Sequence, residues 1–228
     1  MGKYTRTINE IHEKIKTAAA GREPGGITLV AATKTRSAGE IQAAIASGIR
    51  VCGENRVQEM LRKIKENAYR GAQLHFIGHL QTNKVKDVVG RVSLIQSVDS
   101  LKLAQAIDKA AKALNIKQDI LLEVKLGGEP NKKGFPPDEL SDIVKIITRF
   151  ENIVVRGLMT IPPVGSDEHP VIKYFQQLHK IYVDITPKLL DNGHNHILSM
   201  GMSGDYEYAV SAGATMVRVG SAIFGERL

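Results

Sequence analysis

Residues 27–34 read ITLVAATK, a short apolar run that is rich in β-branched residues and ends in a lysine. This composition is typical of a β-strand. The run is nearly continuous in its apolar character instead of alternating with polar residues, as expected of a parallel strand whose outer face is covered by helices. The segment therefore predicts the first strand of an α/β sheet, with Lys34 at its carboxyl end.

Similar runs recur along the chain and are separated by amphipathic stretches, including 38–48, 100–114, 138–150 and 170–190. Such stretches are long enough for the crossover connections between parallel strands. The alternation favours a closed (β/α)8 TIM barrel of the α/β class over an open doubly wound sheet, formed by residues 1–228 as one domain. The predicted strands are ITLVAAT (27–33), RVCGEN (50–55), LHFIGH (74–79), SLIQSV (93–98), DILLEVK (119–125), IVVRGLM (153–159), HILSM (196–200) and TMVRVG (215–220).

An additional helix is predicted before the first strand. Ile8, Ile11, Ile15 and Ala18 recur at spacings of three and four residues, which places them on one face of a helix that ends before Gly21. We expect this helix to close the floor of the barrel.

The composition is that of an ordinary globular protein and narrows the range of partners. Hydrophobic residues make up 43% and charged residues 24%, and no apolar stretch approaches the ~20 residues that cross a bilayer. The lone Cys52 cannot form an intramolecular disulfide, which fits a reducing compartment. The charged, polar N-terminus and the lack of a long apolar stretch predict a cytoplasmic protein without a membrane partner. The net charge of +7 is scattered over the chain and aromatic residues make up only 5%, so no nucleic-acid partner is predicted.

Polar residues gather at the carboxyl ends of the predicted strands, which form the working face of such barrels. Lys34 ends the first strand, and residues 53–55 (GEN) end the second. At the end of an apolar lining, desolvation would disfavour the ammonium form of Lys34 and leave a nucleophilic amine. The alternative is a solvated lysine at the start of a surface helix. Asn55 fits either a helix cap together with Gln58 or the wall of a pocket.

Two glycine-bearing loops near the carboxyl terminus are suited to a phosphate. Residues 199–204 read SMGMSG and lead into a helix near Asp205, and RVGS follows from Arg218 to Ser221 at the end of the eighth strand. Glycines allow the backbone to approach an anion closely, and Ser203 could donate its hydroxyl. Ser203 could equally be a helix N-cap, and Asp205 would oppose an anion if it pointed inward. Arg218 could pair with a phosphate, face a ring nitrogen or form an ion pair across the barrel mouth.

Nucleotide motifs and metal ligands are not evident. The sequence contains neither a Walker A motif nor a G-x-G-x-x-G pattern. His75 and His79 would lie roughly 13 Å apart on a strand, too far to share a metal. His194 and His196 could share a face but lack a third ligand, so no metal site is predicted.

Longer motifs extend over almost the whole chain and are more specific than any single glycine loop. They are VAATK (30–34), GENRVQE (53–59), HFIGHLQTNK (75–84), GLMTIPP (157–163), SMGMSGDYEYAV (199–210) and VRVGSAIFGER (217–227). Together they resemble the pyridoxal phosphate homeostasis protein family.

The resemblance implies a fold-type III barrel similar to the N-terminal domain of alanine racemase, with pyridoxal 5′-phosphate and related B6 vitamers as ligands. It implies that Lys34 holds the cofactor as a Schiff base and that Asn55 and Met200 line the ring. Arg218 would face the pyridine nitrogen, an arrangement that makes the ring a weaker electron sink than an aspartate partner would. The implied phosphate contacts are Ser203, Gly204, Gly220 and Ser221.

One segment departs from the family pattern. Residues 122–125 read LEVK in the fifth predicted strand, where the family usually has an asparagine. Lys125 could place a second amine in the barrel mouth, or it could disturb the polar contacts there.

The resemblance favours a carrier over an enzyme. The expected function is intracellular homeostasis of pyridoxal 5′-phosphate, with supply to apo-enzymes, by a monomer without catalytic residues of its own. We expect no second domain after the eighth strand, whereas in racemases such a domain supplies the opposing tyrosine base from a partner subunit. The alternatives are a racemase or decarboxylase that uses this cofactor on a small amino acid, and a cofactor-free barrel enzyme for phosphorylated metabolites.

Overall fold

The computed structural model describes residues 2–22, 26–127, 133–163, 168–189 and 196–226. Eight strands close into a barrel in chain order. Each strand pairs with the next in parallel, and the first also pairs in parallel with the eighth. The strands are β1 (Thr28–Ala32), β2 (Val51–Glu54), β3 (Gln73–Phe76), β4 (Leu94–Val98), β5 (Gln118–Glu123), β6 (Ile153–Met159), β7 (Ile197–Ser199) and β8 (Met216–Val219).

Helices cover the outer face of the barrel. At the start of α2, the Ser37 side chain accepts a hydrogen bond from the Glu40 backbone while the Glu40 carboxylate accepts one from the Ser37 backbone, a capping box that fixes where this helix begins. Within the described residues, no helix is both long enough and apolar enough to span a bilayer. The helices are α1 (Thr5–Ala18), α2 (Ala38–Ala46), α3 (Val57–Lys65), α4 (Val85–Val88), α5 (Leu101–Ala113), α6 (Leu140–Ile147), α7 (Glu168–Leu189), α8 (Tyr206–Ser211) and α9 (Ser221–Phe224).

The predicted (β/α)8 barrel with an N-terminal helix is confirmed. Each of the eight predicted runs overlaps one of the observed strands, although β3 and β5 begin one residue earlier than predicted. Several runs extend past the observed carboxyl end; β3, for example, ends at Phe76, and Ile77 and Gly78 lie beyond it and line the barrel mouth. That residues 1–228 form one domain stays a prediction.

Apolar side chains pack in two separate layers. The larger cluster joins strand residues to the helices, and the smaller one consists mainly of strand residues and fills the barrel interior. Side chains two positions apart on a strand point the same way. Arg218 therefore points inward like Met216, but lies nearer to the carboxyl ends of the strands. The smaller cluster contains Val30, Val51, Leu94, Leu121, Met159 and Met216.

The expectation that the N-terminal helix closes the barrel floor is wrong. Helix α1 packs against α8 and α9 in the outer layer of the barrel. Lys14 lies 3.2 Å from Glu207 of α8, and the rings of Tyr4 and Phe224 meet edge to face at 5.3 Å. The helix after β8 has only four residues, so the apolar stripe of α1 covers the surface that a longer helix would occupy.

Candidate functional site

A cavity of about 470 Å³ opens at the carboxyl end of the barrel. Its volume lies in the range typical of small-molecule sites. Met200 is fully buried and lies outside the cavity wall, so its predicted contact with a ring stays a prediction. The predicted site residues in the wall are Lys34, Asn55, Ser203, Gly204, Arg218, Gly220 and Ser221. The other residues in the wall are Ala32, Thr35, Arg36, Ile77, Gly78, Ile161, Met202 and Gly225.

Lys34 presents a half-buried amine to this cavity from the loop that follows β1. The amine makes no hydrogen bond or ion pair with any part of the chain that the structure describes. Helix α2 begins only at Ala38, after the Ser37 cap, so Lys34 does not start a surface helix. Its side chain is therefore available to a ligand in the cavity.

The two glycine loops meet at Ser203. The Ser203 hydroxyl oxygen accepts hydrogen bonds from the backbone of Gly220 at 2.9 Å and of Ala222 at 3.3 Å. The N-cap of α8 is Asp205, so Ser203 does not cap the helix that follows its own loop. The two backbone donors converge on one oxygen, which is the arrangement that a phosphate oxygen requires.

Glycine is required where these loops pack most closely. Gly201 has a φ of +91°, and a Cβ there would lie 2.5 Å from the Cβ of Ala209. A Cβ on Gly220 would lie 3.3 Å from Ala32 across the cavity wall, whereas one on Gly204 would meet nothing within 4 Å. Gly204 therefore borders open space that a ligand could enter.

Asp205 does not have to oppose an anion in the cavity. Its carboxylate accepts a hydrogen bond from the Met202 backbone at 2.5 Å, so it is engaged by its own loop. Burial raises the pKa of Asp205 above its ordinary value, although the Met202 hydrogen bond and the Arg218 charge act in the opposite direction. The carboxylate is thus less readily ionised than an exposed one.

Arg218 is a buried cation in the cavity wall. Its guanidinium donates to the Ser199 hydroxyl at 2.6 Å and to the Thr160 carbonyl at 2.9 Å, and both partners are neutral. Burial lowers the pKa of Arg218 to about 10, while the charges of Glu123 and Asp205 raise it in part. The guanidinium remains protonated at neutral pH and retains donors for a ligand. No carboxylate among the described residues forms an ion pair with Arg218, so the structure does not support the predicted alternative of an ion pair across the mouth.

A chain of buried polar side chains below Arg218 was not predicted from the sequence. The Ser199 hydroxyl donates to the Gln96 side chain at 2.7 Å, and the Gln96 amide lies 3.0 Å from His75 Nδ1 and 3.1 Å from the Met216 sulfur. Burial lowers the pKa of His75 to about 4, so this histidine is neutral and accepts from Gln96. The signal that could have revealed these hydrogen-bonded side chains was the presence of His75 and Gln96 inside otherwise apolar strands.

Asn55 offers an unused acceptor. Its side-chain oxygen is buried and has no hydrogen-bond partner in the described structure. The N-cap of α3 is Arg56, and no side chain caps this helix, so of the two alternatives for Asn55 the structure favours the pocket wall over the helix cap. A Cβ on Gly78 would lie 2.3 Å from the Asn55 carbonyl oxygen, so glycine there allows the two loops to touch.

Lys125 does not line the cavity, so the structure does not support a second amine in the mouth. Among the residues described, no three His, Cys, Asp or Glu side chains cluster as a metal site would. His79 instead lies 3.2 Å from Asp99 and 2.5 Å from the Lys133 amine. His194 lies outside the described residues.

The closed barrel with a cavity at its carboxyl end has the architecture of the alanine racemase N-terminal domain. The chain matches the family described as "Alanine racemase, N-terminal domain" over residues 8–228. It is 41% identical to the pyridoxal phosphate homeostasis protein of Aquifex aeolicus over 222 residues, which cover 96% of each chain. It is 34% identical to the protein of that name from Escherichia coli over 232 residues, covering 100% of this chain and 98% of the relative. The chain belongs to the pyridoxal phosphate homeostasis protein family, as the motifs predicted.

Solved structures show the same fold. PipY of Synechococcus elongatus with pyridoxal phosphate bound has a TM-score of 0.81 and 33% identity, covering 94% of this chain and 100% of PipY. PipY without the cofactor gives a TM-score of 0.83. The alanine racemase of Clostridium difficile in complex with cycloserine has a TM-score of 0.75 at 17% identity, covering 98% of this chain and 60% of the racemase. At that identity the likeness shows the fold alone.

Proposed function

We propose that this protein binds pyridoxal 5′-phosphate in the cavity at the barrel mouth and serves the intracellular homeostasis of this cofactor as a carrier. The observation that carries the proposal is the convergence on one cavity of a lysine amine without a partner among the described residues, a buried guanidinium and paired backbone donors. The relatives named for pyridoxal phosphate homeostasis and the cofactor-bound structure of PipY support it.

The residues present fit this cofactor at three points. The side-chain oxygen of Asn55, which has no partner in the described part of the chain, would accept a hydrogen bond from the ring hydroxyl. The backbone donors that converge on Ser203 would serve a phosphate oxygen, and Arg218 would donate to the ring nitrogen. Because Arg218 stays protonated at neutral pH, it would act as a hydrogen-bond donor to that nitrogen, which would carry no proton of its own. The residues that would hold the phosphate are Ser203, Gly204, Gly220 and Ser221.

The charge of the cavity also fits an anionic ligand. The ionisable side chains in its wall are Lys34, Arg36 and Arg218, all of them cationic. Pyridoxal 5′-phosphate would supply an aldehyde, which condenses reversibly with a primary amine. Lys34 is the amine that the cavity offers, and the reversibility of the bond would allow the cofactor to be released.

The same wall supports a carrier over a racemase. Two-sided proton transfer needs a second acid or base that changes protonation near neutral pH. Among the described residues that line the cavity there is no histidine, cysteine, tyrosine or carboxylate to oppose Lys34. A cytoplasmic monomer that passes the cofactor to apo-enzymes completes the proposal, and the single buried Cys52 is consistent with a reducing compartment.

A titration and a transfer assay test the proposal. The native chain, Lys34→Ala and the control Lys125→Ala are titrated with pyridoxal 5′-phosphate while the absorption of the bound cofactor is recorded. We expect the same new absorption band in the native chain and the control, and none in Lys34→Ala. The loaded native chain should then restore activity to an apo-enzyme that requires this cofactor.

Two results would contradict the proposal. One is an unchanged band in Lys34→Ala, which would remove Lys34 from the site. The other is turnover of D- or L-amino acids well above the rate with free cofactor, which would favour the racemase.

A further inference from the structure

A buried cluster of charged side chains holds the backbone on both sides of Lys34. This cluster, which we call the Lys63 cluster, lies between the barrel wall and helix α3, and none of its members lines the cavity. The side chains of Lys63 and Glu54 are 0% exposed. The members of the Lys63 cluster are Thr33, Glu54, Glu59, Lys63 and Tyr69.

Lys63 joins Thr33, the residue that directly follows strand β1, to two carboxylates. Its amine lies 2.7 Å from the Thr33 carbonyl oxygen, 2.7 Å from Glu54 and 2.7 Å from Glu59. An ammonium has three donors, so all of them are used within the protein. The hydroxyls of Thr33 and Tyr69 donate to the same Glu54 oxygen at 2.7 Å and 2.9 Å. The residue before Lys34 is therefore held through both its carbonyl and its side chain.

Glu59 extends the Lys63 cluster to the other side of Lys34. The oxygen that accepts from Lys63 also accepts from the Thr35 backbone N–H at 2.5 Å. Thr35 has a φ of 65°, a left-handed conformation that β-branched residues rarely adopt. Burial disfavours the ionised form of Glu59, yet Lys63 and the Thr35 N–H lower its pKa below the ordinary value. The carboxylate thus fixes the turn that immediately follows Lys34.

The Lys63 cluster is a costly way to stabilise a fold. Desolvation of a buried ion pair often exceeds the Coulombic gain, and well-packed apolar residues commonly do as well. One oxygen of Glu54 is also buried without a partner in the described structure. Apolar side chains could fill the space under α3, but none could donate to the Thr33 carbonyl or accept from the Thr35 N–H. The position of the charges points to a role at residues 33–35.

We propose that Glu59 and Lys63 are positioning residues that direct the amine of Lys34 toward the aldehyde carbon of pyridoxal 5′-phosphate. The inference rests on the proposed function. With the peptides on both sides anchored, the direction in which the Lys34 side chain leaves the backbone is fixed, and only its own torsions remain. In the bond-forming step the amine nitrogen bonds to the aldehyde carbon, and the aldehyde oxygen leaves as water with two protons from the amine. No oxidant or reductant is needed.

The test separates binding of the cofactor from bond formation. The full chain is mixed rapidly with increasing pyridoxal 5′-phosphate, and the absorbance gives a dissociation constant for the first complex and a first-order rate constant for the covalent step. In Glu59→Ala we expect the rate constant to fall about tenfold or more, because small misplacements of a reacting group cost that much. The first dissociation constant should stay within about twofold, since the phosphate loops are untouched.

Two further variants distinguish positioning from general damage. Glu59→Gln keeps an oxygen that can accept from Thr35 and Lys63, so it should restore most of the rate constant. Asp108→Ala is the matched control, because Asp108 is also a half-buried carboxylate that accepts from a backbone N–H, that of Asn152, at 2.8 Å. It should leave both constants unchanged.

Several results would overturn the inference. An unchanged rate constant in Glu59→Ala would do so, as would a loss that Glu59→Gln fails to restore. If Glu59→Ala lacks a cooperative thermal transition, Glu59→Asp, which withdraws the acceptor by one methylene, is measured in its place and judged by the same criteria. If the native chain never forms the covalent bond, the proposed function itself is overturned. If the native chain and Glu59→Ala form the bond equally fast, only the positioning role is overturned.

Discussion

Two buried cations lie near Lys34, and their partners differ in kind. Arg218, inside the barrel, donates to a neutral hydroxyl of Ser199 and a neutral carbonyl of Thr160. Lys63, outside the barrel, lies 2.7 Å from each of two carboxylates. The charge of Lys63 is therefore neutralised by the protein, whereas Arg218 has no directly bonded counter-ion among the residues that the structure describes. The comparison shows how similar burial can serve two purposes: one cation faces the cavity, and the other holds the backbone.

The electrostatic consequences follow the same division. Burial lowers the pKa of Arg218 to about 10, as expected of a cation with neutral hydrogen-bond partners. On the other side of the wall, the Lys63 contact and the Thr35 N–H lower the pKa of Glu59 in spite of its burial. Replacing Lys63 by a neutral residue should therefore have a different effect on the protein from replacing Arg218.

The largest effect is expected for Lys63→Met. The substitution leaves Glu54 and Glu59 as buried or half-buried carboxylates without their cation, and breaking such a pair typically costs about 3–5 kcal/mol. Denaturant unfolding of the native chain and the variant measures the loss. The control is Lys14→Met, which removes an exposed lysine and should have no measurable effect. A loss for Lys63→Met as small as the control would show that the Lys63 cluster is not a stabilised unit.

The next effect concerns His75, which ends the polar chain below Arg218. Burial lowers its pKa to about 4 from an ordinary 6.5, so the unfolded state binds more protons between these values. The contribution of neutral His75 to the free energy of unfolding is therefore fully present above pH 6.5. It is lost as the pH falls toward 4, by up to about 3 kcal/mol. His75→Asn, which keeps an acceptor for Gln96, should remove this pH dependence from unfolding curves. The exposed His12→Asn should retain it, and an unchanged profile in His75→Asn would refute the assignment.

A smaller loss of stability is expected for Arg218→Met. The variant leaves a hydroxyl and a carbonyl without their donor, which costs about 1–2 kcal/mol, and it relieves the burial of a charge. Binding of pyridoxal 5′-phosphate should weaken about tenfold or more, since a hydrogen bond from a charged group contributes roughly 1.5–3 kcal/mol. The comparison of the two cations fails if Arg218→Met destabilises the fold more than Lys63→Met does, or if it leaves affinity for the cofactor unchanged.

The smallest effect is expected for Ser203→Ala. The backbone donors of Gly220 and Ala222 lose one acceptor but are half-buried or exposed, so the cost is about 0.5–1 kcal/mol. Bound phosphate would satisfy the same donors. The difference in melting temperature between Ser203→Ala and the native chain should therefore shrink when pyridoxal 5′-phosphate is added, whereas for the exposed Ser211→Ala it should not change. A difference that is unaffected by the cofactor would remove these donors from the site.

The barrel was predictable because its information is local. Each strand appears as an apolar run, and the cavity follows because parallel strands end on one face. Lys34 and the glycine loops were found for this reason. Helix α1 was placed wrongly because its apolar stripe shows that one face is buried but not which elements bury it.

The Lys63 cluster could not be predicted by the same reasoning. Glu59 and Lys63 are four residues apart on a helix, and such pairs are usually solvated surface ion pairs. Only the packing of α3 against the strands turns this pair toward Thr33 and Thr35. The unused oxygen of Asn55 is likewise a property of three-dimensional packing, because the sequence alone fitted a helix cap equally well.

Borohydride reduction of the loaded native chain, followed by peptide mapping by mass spectrometry, tests the central claim most directly. Reduction makes a carbon–nitrogen bond between the cofactor and a lysine permanent. We predict one adduct per chain, on the peptide that contains Lys34. An adduct on Lys125 or Lys133 in place of Lys34, or no adduct at all, would contradict the account.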